Sequence, residues 1–575
     1  MARPNDEVEA LLREYADLIA ITGRGAFKQR AYERAARAIG GHPADVSTLD
    51  GEALREIPGV GSSIADKVEE YLRTGRVAAV EESRSSIPPG VRALLDVPTL
   101  GPKKAMTLHR ELGVSSVDEL AAAVREDRLA GLKGFGPKAR ENIEHGLAVL
   151  RQSGGRIALD TALGVAEDTV AQLGEVAGCT RVAYAGSVRR MRETVGDVDI
   201  LAAADDPEPV MAAFCRLPLV AEVVLRGRKK TTVRTVDGLQ LDLRVLSEDS
   251  WGAGMIYFTG SKAHNIRIRE IAVRKKLKLS EYGLFDARSG RKRAARTEEE
   301  VYRRLGLPWI PPTLREDRGE IAAAQRDALP RLVTVADLRG DLHSHTDLTD
   351  GIAPLTEMVA AAARRGYRYY AVTDHAPELR MQRMTLDKAR AQRERLRQLA
   401  EEQGRLRLLH GTELNIDPEG NVDWPAEVLA EFELCVASVH SHFELDRDAQ
   451  TRRLIRACEN PHVNVIGHPT TRKFGRRTGI DADLDAVFAA CARTGTALEI
   501  NSHPNRLDLN DEHVLRAREH GVRFAIDSDA HAPTHLGHVR FGVAQAQRGW
   551  LGPDDVINTW PLTRLRRFLR KGGAR

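Results

Sequence analysis

The hydrophobic pattern of this chain falls into three regimes. Residues 1 to 85 read as short amphipathic helices, with apolar positions recurring at helical spacing. After "RQSGG" (151–155) the pattern changes to helix and then strand, and "VAYAGSVRRMRETVGDVDILAAA" begins and ends as strand. In "LQLDLRVL" the alternation is strict: Leu239, Leu241, Leu243 and Val245 face one way, and Gln240, Asp242 and Arg244 the other. Past "WIPPTLREDRGEI" (309–321), an apparent linker, short apolar runs alternate with helical patterns, and each run ends in a residue that can bind a metal. "DLHSH" ends in His343 and His345, "YYAVTDH" in Asp374 and His375, "ELCVASVH" in His440, "VNVIGH" in His468 and "RFAIDSDAH" in Asp529 and His531. "LRLLHGTELNI" carries Glu413, and "TALEINS" carries Glu499 and Asn501. Seven strands separated by helices, with chemistry at their carboxyl ends, are how a β/α barrel builds a site.

Composition adds limits. A chain of 575 residues is too long for one core, so several domains are expected. Hydrophobic content of 42% and charged content of 29% describe a soluble globular protein. No apolar run approaches the ~18 residues of a membrane span. The start, "MARPNDEVEALLREY", lacks a signal-peptide core, and the five cysteines form no CxxC, so a cytosolic protein without thiolate zinc sites is expected. The net charge of +4 is too small to identify a partner, but 14 of the 18 histidines lie after residue 336, which marks that region as chemically special.

Three segments share an apolar-Gly-x-Gly turn before a basic helix. They are "IPGVGSSIADKVEEYL" with Gly59 and Gly61, "VPTLGPKKAMTLHREL" with Gly101, and "LKGFGPKARENIEHGL" with Gly134 and Gly136. They look like helix-hairpin-helix motifs, whose glycine turns expose N–H groups at a helix N-terminus to a DNA phosphate. Lys67, Lys104 and Lys138 add charge nearby, and the second copy departs from the pattern with Thr99 at its first glycine. Such contacts position a duplex without reading its sequence.

Asp197 and Asp199 are two apart on an extended segment, so both project from one face, and Asp242 can join them across a sheet. Three converging carboxylates repel one another unless cations sit between them, which is the setting two magnesium ions need to activate a hydroxyl and hold a triphosphate. "GSVRRMRETVGDVDI" and "YFTGSKAHNIRIRE" (257–270) resemble the nucleotidyltransferase and nucleotide-binding motifs of family X DNA polymerases, the polymerase beta family. The resemblance covers roughly residues 1 to 317. It implies that Asp197, Asp199 and Asp242 bind the metals, with Asp242 also assisting the base for the primer hydroxyl. It further implies that Gly186, Ser187, Arg190 and Gly196 hold the triphosphate, with Arg189 as a further charge partner. Tyr257, Phe258 and Gly260 would pack on the sugar, Asn265 would reach the base's minor-groove edge, and Arg269 would lie on the template side. The family's lysine after Asn265 is Ile266 here. The amino-terminal unit is similar to the family's lyase domain: Lys67 aligns with its nucleophile, and Lys28 and Tyr32 with supporting positions. The family's second lysine and its histidine are replaced by Ser63 and Phe27.

The third region resembles the PHP phosphoesterase domain through "DLHSHT", "TDH", "SVHSH", "GHP" and "DSDAH". The resemblance implies one metal on His343, His345, Glu413 and Asp529. A second would share Glu413 and add His440 and His468, and a third would take Asp350, His375 and His531. All nine positions hold competent ligands. A donor set of nitrogen and oxygen without thiolate suits Mn2+ or Zn2+ in two or three catalytic sites. Arg472, Lys473, Arg476 and Arg477 follow His468 in a basic loop that fits a nucleic-acid backbone.

The expected architecture is therefore multidomain. It comprises a lyase-like helical DNA-binding unit (1–85), a helix-hairpin-helix fingers-like unit (86–150), an α+β nucleotidyltransferase palm (151–247) and thumb (248–317), a linker (318–335), and a distorted β/α barrel (336–575). The expected function is template-directed filling of short DNA gaps in base-excision repair, extending to end joining, with Mg2+ or Mn2+ in the palm. The barrel is expected to act as a 3′–5′ exonuclease or phosphoesterase, and lyase or AP-endonuclease activity is a further candidate. Expected partners are gapped or nicked DNA, deoxynucleoside triphosphates and repair proteins, in the cytoplasm and away from any membrane. Two rivals remain open: a barrel that only holds DNA, and a small-molecule phosphatase fused to a DNA-binding region.

Overall fold

In the computed structural model, residues 4–22, 26–42, 44–85, 87, 91, 94, 97, 100–153, 156–236, 238–378 and 384–571 are described. Thr99, the Lys138 side chain and Gly154 and Gly155 of the "RQSGG" junction lie outside them. The amino-terminal helices, from Pro4–Thr22 to Pro137–Ser153, gather a single apolar cluster running from Val8 to Leu147, so the two expected helical units share one core. Each glycine turn opens a helix: Gly61 caps Ser62–Thr74, Gly101 caps Pro102–Leu112, and Gly136 precedes Pro137–Ser153. Gly59 and Gly134 adopt φ of +88° and +91°, the left-handed region that side chains resist. A Cβ at Gly61, Gly101, Gly134 or Gly136 would meet nothing within 4 Å, so these N-termini face open space.

The palm is a five-stranded sheet in the order Arg181–Tyr184, Asp197–Ala203, Gln240–Leu246, Lys230–Thr235, Val220–Arg226. Asp197–Ala203 and Gln240–Leu246 run parallel, and the other pairs are antiparallel. The alternation read in "LQLDLRVL" sends Leu241, Leu243 and Val245 into the core. The thumb packs the helices Trp251–Thr259, Lys262–Arg274 and Glu298–Leu305 with a three-stranded antiparallel sheet. The stretch 318–335 is not an open tether: its helix Glu320–Gln325 packs Ile321 and Ala324 into the thumb core, and buried Glu320 accepts from His264 Nδ1 at 2.6 Å.

The seven expected barrel strands are present, all parallel and paired in sequence order: Gly340–Asp341, Tyr369–Val372, Arg407–Asn415, Leu434–Ser438, Val465–Ile466, Ala497–Asn501 and Phe524–Asp527. A parallel bridge between Ser344 and Ala530 nearly closes the ring. These strands are apolar without alternation because helices cover one face and the barrel interior the other. At the strand starts, Tyr369, Leu434 and Val465, together with Leu342 just past the first strand, pack with Leu565 and Leu569 of the helix Leu562–Leu569, which plugs that end. Polar chemistry is left to the opposite mouth. No helix among the described residues is long and apolar enough to cross a membrane.

Candidate active sites

In the palm, parallel pairing sets Asp199 directly across from Asp242, with Asp197 two residues earlier on the same face. Asp242 is nearly buried; its Oδ1 accepts from Thr232 Oγ1 at 2.5 Å and its Oδ2 lies 2.8 Å from Lys230 Nζ. Burial, reinforced by the charges of Asp197 and Asp242, pushes the Asp199 carboxyl up to about 7. That strain is what divalent cations between the carboxylates would relieve, so the three aspartates fit the two-ion group. Gly186 lies so close that a Cβ there would sit 2.3 Å from Asp199 Oδ2, and its φ is +59°. Both facts require glycine.

Beside the aspartates lies a cleft of about 570 Å³ lined by Ser187, Arg190, Gly196, Asp197, Arg156, Arg192, Gln240 and Glu316. Four of these are sequence-predicted site residues. Arg156, Arg192, Gln240 and Glu316 were not singled out; Arg192 sits within the quoted motif without a role assigned to it, and the other three lie outside the motif. Arg189 points elsewhere: it forms a two-bond pair with Glu298 at 2.8 Å, inside a buried network with Arg315. Tyr257 and Phe258 end the helix Trp251–Thr259 edge to face, 4.9 Å apart, and Arg269 lies over the Tyr257 ring at 5.1 Å. Asn265 is turned back, donating to the Tyr257 carbonyl at 2.7 Å, while its Oδ1 has no hydrogen-bond partner among the described residues. In the amino-terminal unit, Lys67 Nζ donates to the Ser63 carbonyl at 2.9 Å and to its hydroxyl at 3.1 Å. Tyr32 is buried edge-on to Tyr15, over which Lys28 reaches.

The barrel mouth brings all nine predicted donors together around Glu413. Glu413 Oε2 lies 3.5 Å from both His343 Nε2 and His345 Nε2 and 2.9 Å from His375 Nδ1. Its Oε1 lies 3.2 Å from His440 Nε2 and 3.1 Å from His468 Nε2. Asp529 Oδ1 adjoins His345 at 3.2 Å, and Asp350 Oδ2 lies 3.3 Å from His375 and 3.1 Å from His531. One carboxylate thus divides the donors into two groups, with Asp350, His375 and His531 forming a third. Asp347 stays outside the cluster.

Burial would raise the carboxyls of Asp350, Glu413 and Asp529, yet the surrounding imidazoles hold all three well below the usual range. Burial likewise opposes charge on His531, but Asp350 and Asp529 carry it up to about 9. His468 goes the other way, to about 3, first through burial and then through Arg506. Four buried donor atoms have no hydrogen-bond partner among the described residues: His345 Nδ1, Asp350 Oδ1, His440 Nδ1 and His468 Nδ1. A buried polar atom left unmatched costs about 1–3 kcal/mol. The donor chemistry and these orphaned atoms fit a group of borderline divalent ions.

Supporting residues explain the strand-end carboxylates that are not donors. Glu499 accepts from His343 Nδ1 at 2.6 Å, fixing that ring with Nε2 toward the cluster, and Asn501 Nδ2 donates to Asp529 at 3.0 Å. Asp374 takes hydrogen bonds from Thr346 at 2.8 and 2.6 Å, from Thr349 at 2.5 Å and from Gln392 at 2.5 Å, which pins the loop that presents Asp350.

The basic loop is less uniform than its sequence. Arg472 turns inward to Glu193 of the palm at 2.7 Å and to the Leu507 carbonyl, away from a DNA-facing surface. Arg477 stacks on Phe443 at 3.8 Å, and Arg476 is exposed. Burial, with Arg506 and Arg477 beside it, pushes the Lys473 ammonium down to about 8. Arg506, which sequence reasoning missed, lies 3.9 Å from Asp529, and its buried Nη1 has no hydrogen-bond partner among the described residues.

Comparison with known proteins agrees region by region. Residues 3–77 match the helix-hairpin-helix domain, 91–143 the SAM-like helix-hairpin-helix tandem, 254–316 the DNA polymerase beta thumb and 341–503 the PHP domain. Fold and sites therefore define a polymerase beta-like nucleotidyltransferase joined to a PHP barrel. Over 568 residues, 98% of this chain and 99% of the relative, the sequence is 34% identical to the DNA polymerase/3′-5′ exonuclease PolX of Bacillus subtilis (strain 168). The chain belongs to the family X DNA polymerases that carry a C-terminal PHP domain. The barrel alone is similar to smaller proteins. A probable phosphatase of Thermoanaerobacter sp. (strain X514) is 29% identical over 243 residues, 40% of this chain and 94% of that protein. One of Syntrophotalea carbinolica is 30% identical over 230 residues, 38% of this chain and 90% of that protein.

Proposed function

We propose that this protein is a cytoplasmic DNA-repair polymerase that fills short gaps and trims 3′ ends with its barrel. Base-excision repair is its main setting, and end joining a second. The observation that carries the reading is the presence of two intact centres in one chain: three aspartates beside an arginine-lined cleft, and nine donors at a barrel mouth. Divalent ions, Mg2+ or Mn2+ in the palm and Mn2+ or Zn2+ in the barrel, would supply Lewis acidity and a lowered water pKa when bound.

The chain's residues do the rest. Asp197, Asp199 and Asp242 hold the palm ions, and Asp242 takes the primer hydroxyl's proton. Ser187, Gly196, Arg190 and Arg192 line the triphosphate's path, and Tyr257 and Phe258 pack on its sugar. Gly59, Gly61, Gly134 and Gly136 bring backbone N–H groups to the duplex on either side of a gap, with Gly101 doing the same in the second hairpin. In the barrel, His343, His345, Glu413, Asp529, His440, His468, Asp350, His375 and His531 hold the ions. Lys473, Arg477 and Arg506 bind the phosphodiester, and Arg476 extends the contact outward. The intact donor set favours catalysis over a barrel that merely holds DNA, and the palm aspartates argue against a small-molecule phosphatase. A labelled primer on gapped DNA, with and without nucleotides and under Mg2+ and then Mn2+, tests both halves. Extension with nucleotides and shortening without them are expected; a primer that never shortens overturns the barrel's assignment.

A further inference from the structure

A second imidazole group lies beside the nine donors. His503 follows the strand Ala497–Asn501 by two residues. His535 and His538 are three apart on the 3-10 turn Pro533–His538, where side chains at that spacing fall on the same side. One ring nitrogen from each of the three lies within 4.8 Å of the others, and all three residues are half-buried. The ring centroids are 5.7 Å apart for His503 and His535, 5.2 Å for His503 and His538, and 4.9 Å for His535 and His538.

These spacings can be compared with a metal site. Imidazoles bound tetrahedrally to one ion through bonds of about 2.1 Å place their centroids about 5 Å from one another. The rings among the nine donors span a similar range, from 4.4 Å for His345 and His531 to 6.2 Å for His343 and His468. Simple ring stacking would also give such centroid distances, but it does not require three nitrogens to converge. Two backbone N–H groups approach the rings: that of His531 lies 3.3 Å from His535 Nδ1, and that of Asn505 lies 3.4 Å from His503 Nδ1. Both exceed the ordinary hydrogen-bond length, so these two contacts are weak. The His531 contact also joins this group to the main cluster.

We propose that His503, His535 and His538 form a separate all-imidazole site for one divalent transition-metal ion of the Zn2+ class, with a fourth position open to water or a phosphate oxygen. Lacking any carboxylate, the site would discriminate against Mg2+, which prefers oxygen ligands. The proposal rests on the metal-dependent reading of the barrel, and the test separates the two. The full-length protein is stripped with a chelator, re-loaded with Zn2+ in excess Mg2+, and its bound zinc counted by elemental analysis. The same is done for the His535→Gln/His538→Gln double variant and for His503→Gln, with thermal melting to check folding. His503→Gln changes a single half-buried loop side chain and carries the test if the double variant does not fold. Each variant is expected to bind one zinc fewer per chain than the unmodified protein and to keep the rest. Equal zinc counts would overturn this site and leave the barrel reading intact, whereas no zinc in any protein would overturn both.

Discussion

Replacing Glu413 by glutamine tests the barrel most sharply. In the structure its two oxygens face different partners, Oε2 toward His343, His345 and His375 and Oε1 toward His440 and His468. Glutamine keeps the volume but removes the charge and one of the two acceptor oxygens, so one ion loses its ligand and the other keeps only a neutral amide oxygen. Altering a residue that only supports a ligand typically lowers metal affinity about 10–100-fold. A shared direct ligand should therefore lower joint occupancy of two sites by at least about 10²–10⁴-fold. Glu499→Gln, which binds no ion itself but holds the His343 ring from behind and accepts from the His468 backbone N–H, should fall nearer the lower value. The assay is shortening of a 5′-labelled primer in Mn2+ without nucleotides, beside gap filling in Mg2+. Glu413→Gln should lose shortening and keep gap filling, with Glu499→Gln in between. Shortening by Glu413→Gln at the unmodified rate would refute the bridging role. Loss of both activities together would mean that the carboxylate holds the fold.

Asp242→Asn should reduce gap filling by several orders of magnitude and leave 3′ shortening intact, which single-nucleotide incorporation measures directly. Gly186→Ala should also abolish incorporation, since its Cβ would sit 2.3 Å from Asp199 Oδ2 at a φ of +59°; normal activity in that variant would place the aspartates elsewhere. Burial would raise Glu298, but the guanidinium hydrogen bonds of Arg189 and Arg315 hold its carboxyl at about 2 rather than its usual 4.5. A depressed carboxyl stabilises the fold above its unfolded pKa, and the benefit is lost as pH falls from about 4.5 through 2. Glu298→Gln should therefore lose on the order of 3 kcal/mol at pH 7 and show a flatter acid limb in urea unfolding; an unchanged limb would contradict the network's weight. Short gaps bearing a 5′-phosphate should be filled faster than open primer-templates, and binding should weaken steeply with salt, as filter binding at two ionic strengths would show.

Much of this was legible in the sequence because the chemistry rides on strand periodicity. Asp197, Asp199 and Asp242 declared their shared face through a period of two, and the barrel donors through their repeated place at strand ends. What escaped was set by tertiary contact. Nothing in "FGRRTG" distinguishes the exposed Arg476 from Arg477 on its phenylalanine, and Arg472 looked like the others until the palm supplied Glu193. Arg189 and Arg190 are adjacent, yet one closes a buried network with Glu298 and the other lines the cleft. Arg506 stands alone in the sequence and acquires meaning only beside Asp529, and Arg192 gains its place only in the palm cleft. The helix in the stretch read as linker was hidden because its few apolar residues pair with the thumb rather than with one another.

The contacts between palm and barrel bear on why the two centres share a chain. Leu507 and Phe541 of the barrel region belong to the palm's apolar cluster. Above them, Glu316 at the cleft accepts from Arg190 at 3.0 Å and from Arg548 at 2.9 Å, and Arg548 also donates to the Arg190 carbonyl at 2.8 Å. Arg548 is almost fully buried and is matched on its other side by Asp511 at 2.6 Å, which in turn holds Arg318 at 2.9 Å. A buried arginine with one partner removed typically costs about 3–5 kcal/mol, because the remaining charge has no water to turn to. Such a network is a poor hinge and a good brace. Arg548 of the barrel region thus braces Arg190 through its backbone carbonyl and through the shared Glu316. A barrel whose own mouth carries a full donor set is thereby tied, through Glu316 and a buried ion network, to the flank of the neighbouring cleft.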